Sequence, residues 1–229
     1  MHRIITMELL TKPAFEMKDT NPTVFSRREV WNTPSGHSPL SDFIKSIHPV
    51  RDELIQYVDK VSFRHTVNKG KHIVRSGETC NYVYLILKGI VRGYVKEGTK
   101  EITTWITAEN EMVTSIRGFN KQIPTMKNIQ AIEDCELIGA HYNDLQYLYD
   151  NFVEMNVVGR KLMEQYYTDA EERAFISRLP KATTRYNRFI ATNGNLTNRI
   201  QLKYVASYLG ITIETLSRIR TKMYNNGER

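Results

Sequence analysis

Glu214 and Arg218 stand one helical turn apart in the stretch 202–223, LKYVASYLGITIETLSRIRTKM. Side chains at i and i+4 of a helix point the same way. A carboxylate placed so can accept from cytosine N4, and a guanidinium can donate twice to guanine. Ile213, Ser217 and Thr221 fall on the same outward face. The plainer alternative is an exposed ion pair worth only ~0.3–0.5 kcal/mol. Elsewhere the sequence shows no nucleophile beside a base, no phosphate-cradling glycine loop and no metal-ligand spacing. An enzyme is therefore not expected, and neither a cofactor nor a metal ion is implied.

Two short helices and a tight turn would have to position that face. Val205, Ala206 and Leu209 form an apolar face on the first. Leu216, Ile219 and Met223 recur at helical spacing on the second. Between them Gly210 can take the left-handed conformation that ends a helix. Thr212 can cap the next one, and Glu214 suits the positive end of its dipole. Ala206 is small where two helices must cross. This is a helix-turn-helix pattern, in which the second helix, here 212–223, enters the major groove of DNA.

Charge placement agrees. The 229 residues carry 32 basic and 25 acidic side chains, net +7. Residues 178–229 hold ten basic residues against Glu214 and Glu228, a local net of +8. The first 177 residues hold 22 basic and 23 acidic, net −1. A polyanion-binding domain joined to a neutral one has this footprint. Lys203, Arg199, Arg220 and Lys222 are the candidates for phosphate contact, or are solvated charges. A basic tail could also serve solubility or meet a membrane, but Glu214 on the presented face argues against both.

Two cysteines, Cys80 and Cys135, make neither a disulfide framework nor a zinc site. No secretory signal pattern opens the chain, and the most apolar run, 82–91, is short and carries Lys88. A cytoplasmic protein is expected.

Taken in order, residues 1–37 are mixed in charge, proline-bearing and aperiodic, and read as a poorly ordered extension. Ser41 and Asp42 can cap a helix through Ile47, and 49–61 reads as a second. Residues 62–140 alternate β-rich runs (82–87, 90–96, 101–107, 127–132, 135–140) with turn signals, the pattern of a sandwich or jelly roll. Asn143 and Asp144 can cap a short helix. A long helical run then spans 152–176, with Met155, Gly159, Leu162, Tyr166 and Ala170 three or four apart. So narrow a stripe on so long a helix resembles a coiled-coil seam. The alternative is a helix packed on its own sheet. After Pro180, 181–192 reads as another helix before the final pair.

A β-roll, a long helix and a C-terminal helix-turn-helix, in that order, resemble the Crp/Fnr family of bacterial transcription regulators. The resemblance covers the chain from Ser38. It rests on Gly77 and Glu78 with the run YLILKG at 84–89, on the long helix, and on VASYLGIT at 205–212 with ETLSRI at 214–219. It implies an α+β chain: a jelly-roll-like β-roll sensor domain of the cyclic-nucleotide-binding type at 38–150, a dimerisation helix at 151–177 and a DNA-binding domain at 178–229. It implies that Glu214 and Arg218 read bases, with Ile213 and Ser217 beside them, and that Thr212 touches phosphate. Ile213 stands where the family often has a polar or basic reader, so the site recognised should differ.

The sensor half departs from the family. Its cyclic-nucleotide binders carry a Gly-Glu pair for the ribose and an Arg-Ser or Arg-Thr pair for the phosphate. The matching stretches here are 109–115 (ENEMVTS) and 122–126 (QIPTM), with no Gly-Glu pair and no Arg before Thr125; Arg117 and Lys121 lie nearby at other spacing. An anionic phosphate in a dry site needs a guanidinium, so cyclic AMP binding is not expected. The partners implied are double-stranded DNA bearing inverted repeats and a second copy of the chain. RNA polymerase and an unidentified small-molecule effector are further candidates. A small-molecule-binding module that does not bind DNA would explain the roll but leave the +8 tail idle.

Overall fold

The computed structural model describes residues 31–225. Two antiparallel four-stranded sheets form a roll, flanked by helices on its N-terminal side and followed by an all-helical C-terminal part. The order is α1 (Pro39–Ile47), α2 (Asp52–Val61), β1 (Phe63–Val67), β2 (His72–Val74), β3 (Tyr82–Lys88), β4 (Val91–Glu97) and β5 (Lys100–Thr107). Then come β6 (Met112–Val113), α3 (Ile116–Lys121), β7 (Asn128–Ala131), β8 (Cys135–His141) and α4 (Tyr142–Asn151). The last part is α5 (Val153–Arg178), α6 (Ala182–Asn193), a 3-10 turn (Gly194–Leu196), α7 (Leu202–Leu209) and α8 (Ile213–Asn225). The α+β architecture is thus the one the sequence pattern called for.

One sheet runs β1-β8-β3-β6 and the other β2-β7-β4-β5. The five β-rich runs are β3, β4, β5, β7 and β8, while β1, β2 and β6 are strands too short or too polar to stand out. Strand β3 lies inside its sheet and buries four consecutive residues, Val83 to Ile86. Burial on both faces is why it reads as an unbroken apolar run. Both thiols are buried in the roll, and burial pushes Cys135 up to about 11, which leaves it a thiol at neutral pH.

Residues 1–30 of the expected N-terminal extension lie outside the described residues. Residues 31–37 belong to the fold instead of the extension. Trp31 is buried in the roll's core, and its indole N–H donates to the Asp59 carbonyl at 3.0 Å. The Asp59 carboxylate accepts from the Ser38 N–H and the Ser41 hydroxyl, and bonds His37 Nδ1, at 2.6–2.7 Å. One acidic side chain on α2 therefore ties the entering chain to the α1 N-terminus. Sequence periodicity carries no trace of such a hub.

The long helix α5 packs three positions of the proposed seam on its own roll. Met155 is buried in the roll's own core, and Gly159 faces Tyr149 of α4 so closely that a Cβ there would stand 2.7 Å from its hydroxyl oxygen. Leu162 also packs against this core. The first turns of α5 therefore follow the alternative reading, a helix packed on its own sheet. Tyr166 and Ala170 are half-buried. Beside them, one position away, Met163 at 52% and Tyr167 at 72% are exposed apolar side chains.

Candidate nucleic-acid interface

The helix pair is built as its residues dictate. Gly210 sits at φ +63°, and its N–H closes α7 onto the carbonyls of Ala206 and Ser207. Only glycine takes that left-handed position without strain. Arg185 of α6 reaches across to the last turn, donating from Nη1 to the Leu209 carbonyl at 2.6 Å. A member of the basic tail is therefore a structural helix cap. Thr212 Oγ1 accepts from the Thr215 N–H at 3.2 Å, the cap read from sequence. Val205, Ala206, Leu209 and Leu216 close a small core with Ile176, Tyr186, Phe189 and Ile200. Leu216 is 0% exposed.

That packing leaves the other face of α8 in solvent. Thr212, Ile213, Glu214, Ser217, Arg218, Thr221 and Lys222 are exposed, and Arg220 is half-buried. The Glu214 carboxyl lies below the usual range because its own backbone N–H and then Thr212 bond the charged form. It is ionised at neutral pH. Arg218 donates to the Thr215 hydroxyl at 3.5 Å rather than pairing with Glu214. The surface ion pair that would have explained these two residues blandly is not formed. Both side chains are exposed on one helix face, each held only by a neighbour in the first turn.

The phosphate-contact candidates divide. Lys203 is exposed, its ammonium 4.8 Å from the Tyr204 ring centre. Arg199 departs from expectation: it is held by the roll. Its Nε and Nη2 donate to both oxygens of Glu133 at 3.2 and 2.6 Å. Its Nη1 and Nη2 donate to both oxygens of Glu109 at 3.0 and 2.6 Å. Arg199 holds the Glu109 carboxyl down to about 2. Nothing local in the sequence links Arg199 to partners 66 and 90 residues away.

Further contacts escaped sequence reasoning. Ser207 of α7 accepts from the Thr103 N–H at 2.9 Å and donates to the Glu101 carbonyl at 2.9 Å. The Arg92 guanidinium, 2% exposed, lies 4.1 Å from the ring centres of both Tyr94 and Tyr204 and bonds Glu101, Gln130 and Thr103. The one available signal was a charge inside the otherwise apolar run of β4.

In the roll, Ser115 and Thr125 occupy the two ends of the cassette singled out in the sequence. Both are buried, and their hydroxyls bond each other at 2.6 Å. Thr125 Oγ1 also accepts from the Lys127 N–H at 3.0 Å, while its backbone pairs with Gly77 and Glu78. Arg117 and Lys121 point into solvent. An open cleft of about 1170 Å³, partly lined by residues 109–114 of that cassette, lies between the roll, α5 and the helical part, with Trp105, Leu162, Tyr166 and Tyr208 among its walls. No helix among the described residues is long and apolar enough to cross a membrane.

Comparison with known proteins agrees with this architecture. Residues 64–152 match the family model of the cyclic nucleotide-binding domain. Electron transport regulator A of Shewanella oneidensis is 23% identical over 192 residues, covering 77% of this chain and 74% of its own. FixK2 from Bradyrhizobium japonicum superposes with a TM-score of 0.60 at 19% identity, covering 73% of this chain and 86% of its own. A CooA variant from Carboxydothermus hydrogenoformans gives 0.61 at 18%, covering 78% and 88%. A structure described as a transcriptional regulator of the Crp/Fnr family from Eubacterium rectale gives 0.63 at 16%, covering 78% and 85%. Residues 64–152 are thus similar to the cyclic nucleotide-binding domain, and the chain shares the fold of these solved structures.

Proposed function

We propose that the chain is a transcription regulator that binds inverted-repeat DNA as a homodimer through α8 and catalyses no reaction. The observation that carries this is the exposed, unpaired Glu214 and Arg218 on one face of a capped second helix. Ile213, Ser217 and those two read bases. Thr212, Lys203, Arg220 and Lys222 meet phosphates. The relatives named as regulators support the reading. It places the protein in the cytoplasm, with RNA polymerase as its downstream partner. Selection of bound fragments from a genomic DNA pool tests it. Half-sites about one helical turn apart, roughly 34 Å, should emerge. A pool left unenriched at low salt would sink the reading.

Dimerisation is assigned to the solvent face of α5. Met163, Tyr167, Ala170 and Ala174 fall at steps of four, three and four, the spacing of a coiled-coil seam, and none is used by the roll's core. Sedimentation should give about twice the 26.7 kDa chain mass. Tyr167→Glu should return it to one. Leu162→Glu is a poorer probe, because Leu162 packs on its own roll.

The roll does not take cyclic AMP in this reading. Where a phosphate would need a guanidinium, two hydroxyls are bonded to each other and Pro124 precedes Thr125. Saturable heat with micromolar cyclic AMP in a calorimeter would overturn this. The interdomain cleft is the place for a different small-molecule effector.

A further inference from the structure

The helical part does not merely follow the roll; it is docked on it by three kinds of contact. The first is ionic. Arg199 uses its donors on Glu109 and Glu133, each bound through both oxygens, and Glu109 is itself fixed by the Gly89 N–H at 2.8 Å. The second is main-chain recognition. β5 ends its sheet, so one edge of it has no strand neighbour. Ser207 satisfies the Thr103 N–H and the Glu101 carbonyl of that strand, as a neighbouring strand would. The third is packing. Tyr204 covers the buried Arg92, and Ile90, Ala108 and Ile132 of the roll join the small core of the helix pair.

The chemistry of the ionic contact is informative. Two carboxylates that each present both oxygens to one guanidinium offer what a phosphodiester offers. Residues 178–229 carry a local net of +8, and the roll sets Glu109 and Glu133 against them. With those donors occupied, Arg199 has no free fork for a DNA phosphate. A duplex approaching it would also meet the two carboxylates. The base-reading face of α8 stays exposed throughout, so the contact removes backbone affinity without hiding the reader.

We propose that the roll is an intramolecular competitor for the DNA backbone. Glu109 and Glu133 latch Arg199, Ser207 clips α7 to the β5 edge, and tight DNA binding requires the latch to open. This rests on the DNA-binding reading above. In the open state Arg199 turns from the roll to the phosphate backbone.

The test uses the full chain, a duplex bearing the selected site and a scrambled duplex at fixed salt. Glu109→Gln with Glu133→Gln weakens the latch while leaving Arg199 in place. Ser207→Ala removes the clip and touches no residue assigned to DNA. The double variant should bind both duplexes at least about fivefold tighter than wild type. Ser207→Ala should shift affinity the same way by a smaller factor. Amide exchange over residues 100–107 of the free protein should quicken in both, because Thr103 loses its acceptor. Faster exchange with unchanged or weaker DNA binding would overturn the proposal, since the open state would then be no better a binder. Unchanged exchange in both variants would overturn it too, since these bonds would not hold the domains together. If thermal melting shows the double variant unfolded, Ser207→Ala decides alone by the same two readouts. Failure of wild type and every variant to bind any duplex, at low salt, would instead bring down the DNA reading on which this depends.

Discussion

The cassette of the roll and the outward face of α8 are both short polar segments on a rigid scaffold, yet they treat their polar groups in opposite ways. In the cassette, Ser115 and Thr125 bond each other, and Thr125 also anchors the Lys127 N–H. Both hydroxyls have internal partners, and burial makes those partners necessary. On α8, Glu214 and Arg218 stand in water without each other, although their spacing would allow a pair. A polar group already satisfied inside the protein is structure. A polar group held in place and left exposed to solvent is available to a partner. By that criterion the two buried hydroxyls of the cassette act as scaffold, whereas the side chains on α8 remain accessible.

The largest way to break the comparison is to remove the scaffold beneath α8. Leu216 is fully buried where α8 meets α6 and α7. Leu216→Ala should destabilise the helical part by about 2–5 kcal/mol through lost burial and the cavity left behind. Calorimetry should show a lower-temperature transition for the helical part and little change in the main roll transition. DNA binding should fall with it. An unaltered melt would mean that the small core does not hold the reader. Next comes the reader itself. Arg218→Ala should cost about 1–3 kcal/mol per half-site on the preferred sequence and relax preference at one base pair. Lys203→Ala should instead weaken all sequences alike and lower the salt slope by about one per half-site. If Arg218→Ala weakens selected and scrambled DNA equally, Arg218 is a backbone contact.

The helix pair was legible in the sequence because its logic is local. Gly210, Thr212, Glu214 and Leu216 lie within seven positions, and each acts through the helix it starts or ends. The strands of the roll were legible for a similar reason, since β3, β4, β5, β7 and β8 are β-rich runs between turn residues. What stayed hidden acts over long separations. Asp59 collects Ser38, Ser41 and His37, and Arg199 meets Glu109 and Glu133. Such pairs leave no period in the sequence. The packing face of α5 was hard to read for a different reason. A 3.6-residue helix with apolar residues on adjacent rows, 155, 159, 162 and 163, 167, 170, offers two stripes, and only packing tells which one meets the roll.

The smallest effect sharpens the other side of the comparison. If the cassette is scaffold, the Thr125 hydroxyl should matter to stability and not to function. Thr125→Val keeps the shape and removes the oxygen. Ser115 then loses its hydroxyl partner and the Lys127 N–H its acceptor. A net loss of about 1 kcal/mol follows from the price of an ordinary buried hydrogen bond. Thr125→Ser keeps the oxygen and removes a methyl group, so it should recover the hydrogen-bond part of that loss and leave a small packing defect. Chemical denaturation of the three proteins reads the difference as a shift in midpoint at constant slope. DNA affinity should be the same for all three. If Thr125→Val melts like wild type but changes DNA affinity, the cassette is still a signalling element. The contrast drawn between the two segments would then be wrong at its quieter end.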